Sequence, residues 1–188
     1  MTQLVFCLEE PSAREMLKGL LPRLLPMEFE IQYLVFEGKQ DLEKRLPKRL
    51  RAWQRLDARF IVLRDKDSAD CVAVKQRLIQ LCESAGRGDT LVRIACHELE
   101  SWYLGDLAAV AAAIGPDSIA RQQRKKRFRD PDCLANPYQE LKRLAPEYQK
   151  VSGSRAIGPH LSIENNRSTS FNVFISGIQR LIAKGAIT

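Results

Sequence analysis

Histidine is nearly absent from this chain of 188 residues, with only His97 and His160 present. No CxxC pair occurs, and the cysteines are an odd five: Cys7, Cys71, Cys82, Cys96 and Cys133. There is thus no thiolate or imidazole cluster to hold zinc. The odd count in a chain this long also argues against a disulfide scaffold and predicts reduced thiols in the cytoplasm. Cys7 and Cys96 lie in apolar runs and are expected to be buried. The apolar stretch Leu107–Ile114 is far shorter than the roughly 20 residues of a membrane span. The start, MTQLVFCLEEP, lacks a basic n-region, so no signal peptide is expected. There is no lipidation motif, internal repeat or low-complexity segment. Aromatic residues are only 7%. Few interleave with basic residues, so no module for reading bases is apparent.

What is present is globular. Hydrophobic residues make up 45% and charged residues 28%, which excludes a disordered chain. The length suits one domain, which at this size buries roughly 70% of its unfolded surface. Lys and Arg total 30 against 23 Asp and Glu, a net charge of +7. That excess points to an anionic partner. It is unevenly placed. Met1–Gly38 carries three basic and six acidic residues, Lys39–Arg59 eight and three, and Ile119–Arg155 ten and four.

The apolar pattern predicts strands at Gln3–Leu8, Glu30–Phe36, Arg59–Leu63 and Thr90–Cys96. Between them the spacing predicts helices over Ala13–Leu25, capped by Ser12 with Glu15 completing a capping box, and over Asp41–Leu56, kinked at Pro47. A third helix starts at Ser68 or Asp70 and runs to Glu83, with Val72, Leu78 and Cys82 inward. His97–Tyr103 begins another. Continuous apolar strands alternating with helices predict an α/β fold, a mostly parallel sheet flanked by helices. Residues 1–114 form this core. Residues 115–188 form a basic helical C-terminal elaboration packed on it, with Val151–Pro159 as a Ser/Gly loop and Phe171–Lys184 as a terminal helix.

Ligands of open parallel sheets bind beyond the carboxyl ends of the strands. The acids collect there. Glu9 and Glu10 follow strand one, Glu37 strand two, Asp65 and Asp67 strand three, and Glu98 and Glu100 strand four. An extended DxD puts both carboxylates on one side of the chain. Converging like charges need a cation, and oxygen ligands suit Mg²⁺ or Mn²⁺. Glu98 and Glu100, if both in regular helix, cannot share a face. Two basic blocks flank this centre, and Lys39, Lys125, Lys126, Arg127, Lys150 and Arg155 are candidate phosphate contacts. The plainer alternative is a basic nucleotide-binding domain whose acids only cap helices.

A Glu after the first strand followed by DxD after the third resembles the Toprim catalytic domain. Several segments, LEEPSAREML (Leu8–Leu17), EGKQDLEKRLP (Glu37–Pro47), VLRDKDSADC (Val62–Cys71), HELESWYLGD (His97–Asp106) and NRSTSF (Asn166–Phe171), are similar to domain-of-unknown-function family 4276. That family is Toprim-like, of the overcoming-lysogenization-defect nuclease type found in prokaryotic defence systems. The resemblance implies that Glu9 is the Toprim glutamate and that Asp65 and Asp67 are the metal-binding DxD. It implies that Glu98 and Glu100 act after strand four, one as a second-metal ligand or general base, and that Asp106 is the closing acid. The implied activity is Mg²⁺- or Mn²⁺-dependent hydrolysis of DNA or RNA by an antiviral effector controlled by an AAA-type ATPase. Glu9, Asp65, Asp67 and Glu100 would be the metal ligands. A homodimer is left open, and no membrane is involved. Two positions depart from the family pattern. Glu10 stands where Gly is usual, and Ala13 where an acid is usual, so Glu10 or Glu15 must substitute or catalysis is impaired. The alternative is a non-catalytic nucleic-acid-binding or regulatory subunit of such an ATPase complex.

Overall fold

Strands and helices alternate through the first half of the chain, and helices alone follow. In the computed structural model residues 2–183 are described. The predicted end of the last helix, Lys184, lies outside the described residues. The elements are β1 (Gln3–Leu8), α1 (Pro11–Leu20), β2 (Glu30–Val35), α2 (Lys39–Arg51), β3 (Ala58–Asp65), α3 (Cys71–Ser84) and β4 (Leu91–Ala95). They continue with α4 (Glu100–Leu104), α5 (Leu107–Ile114), α6 (Ser118–Gln122), α7 (Pro137–Leu144), α8 (Lys150–Ile157) and α9 (Thr169–Ala183). The sheet has the order β2-β1-β3-β4, and every pairing is parallel. This is the expected α/β architecture.

Because side chains alternate along a strand, the sheet divides the apolar residues into two cores. Val5, Cys7, Phe60 and Val62 pack on Leu42, Leu46 and Leu50 of α2 and on Val74, Leu78 and Cys82 of α3. Leu4, Phe6, Leu8, Ile61 and Leu63 pack on the other side against α1 and on Trp102, Tyr103, Phe128, Leu141, Tyr148, Phe171 and Phe174. The second core is continuous across residue 114, so the C-terminal helices complete the layer that α1 begins.

Several local expectations are corrected. Helix α1 starts at Pro11, whose fixed φ suits the first helical position, and Glu10 rather than Ser12 is the N-cap residue. The Ser12 hydroxyl instead donates to Glu10 Oε1 at 2.5 Å. Leu21–Arg23 is a 3₁₀ turn, not a continuation of α1. Helix α2 runs through Pro47, anchored by Leu42, Leu46 and Leu50, and Trp53 lies beyond its end. Val72 is exposed, and Val74 takes the inward place because α3 begins at Cys71 and is capped by Asp70. Cys7 is fully buried, whereas Cys96 is half-buried.

The expected Ser/Gly loop is helix α8. Its small residues serve close packing. A side chain at Gly158, just after α8, would meet the Met16 carbonyl oxygen at 2.4 Å, so glycine lets that turn lie against α1. Among the described residues, no helix is long and apolar enough to cross a membrane.

Candidate functional site

The four strands deliver their acids to one edge, as predicted, but not to one cluster. Val62 belongs to the α2–α3 core and Leu63 to the opposite one. By the same alternation Arg64 falls on the α2–α3 side and Asp65 on the α1–α8 side.

Glu9 stands between the two. Its Oε2 accepts the Asp65 backbone N–H at 3.2 Å. Its own carbonyl accepts the Gly38 N–H at 3.0 Å. Gly38 has φ of +91°, a conformation that favours glycine. Burial, then the neighbouring Asp67 carboxylate, raise the Glu9 pKa above its ordinary value.

Asp67 corrects the extended-DxD expectation. Its φ is +54°, so the chain turns immediately after β3. The Asp67 N–H donates to the His97 carbonyl at 2.9 Å. His97 Nδ1 lies 2.9 Å from the Asp67 carbonyl oxygen, and the Lys66 ammonium lies within 3.5 Å of both ring nitrogens. His97 thus holds the Asp67 backbone in place. The Asp67 carboxylate pairs with Lys39 at 2.8 Å. Asp67 does not start α3, which is the role of Asp70.

On the α1–α8 side Asp65 is half-buried, and its pKa is raised well above its ordinary value. Burial is the main cause, followed by Glu10, Glu100 and Glu9. Glu100 is 1% exposed. Its Oε1 accepts the Tyr148 hydroxyl at 2.9 Å, while Oε2 has no hydrogen-bond partner among the described residues. Burial raises its pKa against the opposing charge of Lys150. Lys150 Nζ lies 3.5 Å from Glu10 Oε1. Burial disfavours the charged ammonium, but Glu100, Glu10 and Asp65 outweigh that and raise its pKa overall.

Glu98 and Glu100 do not share a regular helix. Glu98 precedes α4, and its Oε2 accepts the Tyr138 N–H at 2.9 Å, at the start of α7. Asp106 caps α5 through the Ala109 N–H and also accepts the Ser162 N–H at 2.7 Å. For Glu98, Asp106 and Asp70 the helix-capping reading holds. It does not describe Glu9, Asp65, Asp67 or Glu100. Glu37 is exposed, and its N–H donates to Asp41.

Of the basic candidates, Lys39 and Lys150 reach the acidic edge. Arg155 instead joins Arg14 and Lys18 on the buried Glu15, and Arg127 pairs with Glu140. Lys125 and Lys126 are exposed and make no salt bridge among the described residues. The pattern of the sequence did not single out Tyr148, Arg64 or Asp132. Asp132 accepts the Ser168 hydroxyl and the Ser170 N–H, both at 2.6 Å. Ser170 in turn accepts the Trp102 indole N–H at 2.8 Å. The NRSTSF segment therefore clasps α4. Arg64 lies within β3, one residue past the expected strand end at Leu63.

As the side chains stand, no three His, Cys, Asp or Glu groups form a metal-holding cluster among the described residues. The donor chemistry nevertheless fits a hard divalent cation. The groups are carboxylate oxygens, Asp65 and Glu100 resist ionisation, and Glu100 Oε2 is buried without a partner. A cation would supply the missing counter-charge.

A family described as a domain of unknown function, DUF4276, matches residues 8–179. Among solved structures the chain is similar to the C-terminal region of the Burkholderia pseudomallei OLD protein. The two share 15% identity and a TM-score of 0.50, over 97% of this chain and 99% of that one. This likeness concerns the fold. No curated protein matches the chain.

Proposed function

The chain belongs to the DUF4276 family, and we propose that it is a Toprim-like, metal-dependent nuclease that hydrolyses nucleic-acid phosphodiesters. The observation that carries this reading is the under-compensated carboxylate edge, where Glu10, Asp65 and Glu100 share Lys150 as their counter-charge. Such an arrangement costs stability unless a ligand completes it, and perturbed acids cluster at functional sites.

Glu9, Asp65 and Asp67 would hold Mg²⁺ or Mn²⁺, with Glu100 at the edge of that set. Bound there, the ion would neutralise charge on the phosphate and acidify water. The chain's own groups do the rest. Lys39 and Lys150 attract and orient the phosphate. Glu100, whose Oε2 has no hydrogen-bond partner among the described residues, would be the proton acceptor for the attacking water. Tyr148 keeps the Glu100 carboxylate in place through Oε1. Glu98 positions α7 beside the site through the Tyr138 N–H.

Glu10 supplies the acid missing at Ala13. Ala13 is buried in the core, and Glu15 is bound to Arg14, Lys18 and Arg155. After burial, Glu10 is the strongest influence raising the Asp65 pKa. The resemblance to defence nucleases extends the proposal to an antiviral effector controlled by an AAA-type ATPase. The five unpaired thiols suit the reducing cytoplasm. A second reading, a non-catalytic nucleic-acid-binding or regulatory subunit, is favoured by Ala13 and by the Lys39–Asp67 pair.

The test is incubation of the purified protein with labelled DNA, RNA and tRNA in Mg²⁺, Mn²⁺ or EDTA. Cleavage that needs the metal and is lost in Asp65→Ala and Glu9→Ala supports the nuclease. Intact substrates under every condition overturn it and leave the binding subunit.

A further inference from the structure

A cleft of about 490 Å³ opens beside the carboxylate edge, on the α2–α3 side of the sheet, lined by Lys39, Gln40, Glu43, Lys44, Arg64 and Arg77. Four of these side chains are cationic and one is anionic. No aromatic or aliphatic side chain is among them, so the cleft offers no surface on which a base could stack.

Arg64 is its floor. Strand alternation sends it up between α2 and α3, and it is 6% exposed. Its Nη1 donates to Glu43 Oε1, and Glu43 is also approached by Arg77 Nε at 3.7 Å. Glu43 therefore fixes the plane of the Arg64 guanidinium. Arg64 Nε is buried without a hydrogen-bond partner among the described residues. Nε pairs with Glu9 Oε2 only as an ion pair at 3.8 Å, beyond hydrogen-bond reach. A buried arginine with an unmet donor in a cationic cleft is poised for an anion. A planar, always-charged fork suits the two oxygens of a phosphate. Lys39 connects the cleft to the carboxylate edge, because its ammonium lies 2.8 Å from Asp67 Oδ2.

We propose that this cleft is a phosphate subsite that takes a backbone phosphate of the nucleic acid neighbouring the one under attack. Arg64 would be its rigid contact, with Lys39, Lys44 and Arg77 its mobile ones. The subsite rests on the nuclease reading for its substrate, but not on cleavage. It recognises phosphate and sugar geometry without base identity, in keeping with the absence of stacking groups. It also sets a direction, since a strand held here and at the carboxylate edge must pass over Lys39.

The test is binding of a fluorescein-labelled single-stranded oligonucleotide by anisotropy in EDTA, where no cleavage occurs. Inorganic phosphate serves as a competitor. Arg64→Lys keeps the charge but removes the fork, and is expected to weaken binding about tenfold, one lost bidentate contact. Arg64 is buried, so the exposed Lys44→Ala and Arg77→Ala provide variants that do not depend on core packing. Each is expected to weaken binding and to reduce the slope of log affinity against log salt by about 0.7, the value for one single-strand phosphate contact. Lys48→Ala, farther along α2 and outside the cleft, is the charge-matched control and should change affinity much less. Equal losses in Lys48→Ala and Lys44→Ala would mean a diffuse basic face and overturn the subsite. So would failure of the wild-type protein to bind, or failure of inorganic phosphate to compete. Retained, Arg64-dependent binding by a protein that cleaves nothing under Mg²⁺ would sink the nuclease reading and leave the subsite standing.

Discussion

Glu15 and Glu100 are two glutamates buried almost equally, at 3% and 1% exposure, in two differently furnished regions. Glu15 lies where α1 meets α8 and is bonded by Arg155, Lys18 and Arg14. The Arg155 bond foremost, aided by the others, lowers its pKa to about 2. Glu100 lies at the sheet edge with Tyr148 on one oxygen and no hydrogen-bond partner among the described residues on the other, and burial raises its pKa. The first carboxylate has been satisfied by the fold. The second has been left short of charge. Structural acids and acids awaiting a ligand differ here in the partners provided and in depth: Glu15 is covered by half-exposed Arg and Lys side chains, while Glu100 lies deeper in the protein.

The widest difference between the regions should be functional. Asp65→Asn is expected to reduce metal-dependent cleavage at least about a hundredfold, roughly 3 kcal/mol in the barrier, while the metal-free protein loses no thermal stability because a like charge has been removed from a crowd. Glu15→Gln should do the opposite, leaving the carboxylate edge and its cleavage intact. Activity kinetics and thermal melts on the two variants would sharpen the comparison, and an inactive Glu15→Gln would break it.

Next in size is Tyr148→Phe. It strips Glu100 of its one bonded oxygen and should cost about 1–3 kcal/mol, the penalty of an unmet buried polar group. Urea denaturation reads this, and an unchanged midpoint would mean that Glu100 is already neutral. Glu15 also gives a pH signature. Its folded pKa lies below the ordinary 4.5, so its stabilisation is complete above pH 4.5 and is lost as pH falls towards about 2. Glu15→Gln should therefore lower the wild-type melting temperature near neutrality and flatten the decline in this acid window. Parallel acid limbs for the two proteins would refute the assignment. The smallest expected effect is that of Mg²⁺ alone. It should raise the melting temperature of wild type by a few degrees through preferential binding to the folded state, and leave Asp65→Asn unmoved.

Much of this was legible in the chain. The four strands announced themselves as continuous apolar runs, and parallel order followed from the helices between them. That acids stand at the strand ends was also plain, because sequence position sets strand position. The partners of those acids were not legible. Glu10 and Glu15 are five residues apart on paper, yet only Glu10 reaches Asp65, since Glu15 meets Arg155 at 140 positions' remove. Glu98 stood out by following strand four and by its likeness to the family's glutamate there, and no chain pattern showed that its carboxylate would accept the Tyr138 N–H, 40 positions on. Helix α8 was hidden because Ser and Gly read as loop when the close approach of α1 is unseen.

The sequence by itself determined the sheet, the order of its strands' helices and the gathering of carboxylates at one edge, because these depend on local periodicity and on the strand–helix alternation. Which carboxylate is neutralised, which is left bare and which arginine is buried beneath a cleft were decided by tertiary structure alone. Charge compensation depends on distances of a few ångströms between side chains that the chain order places far apart.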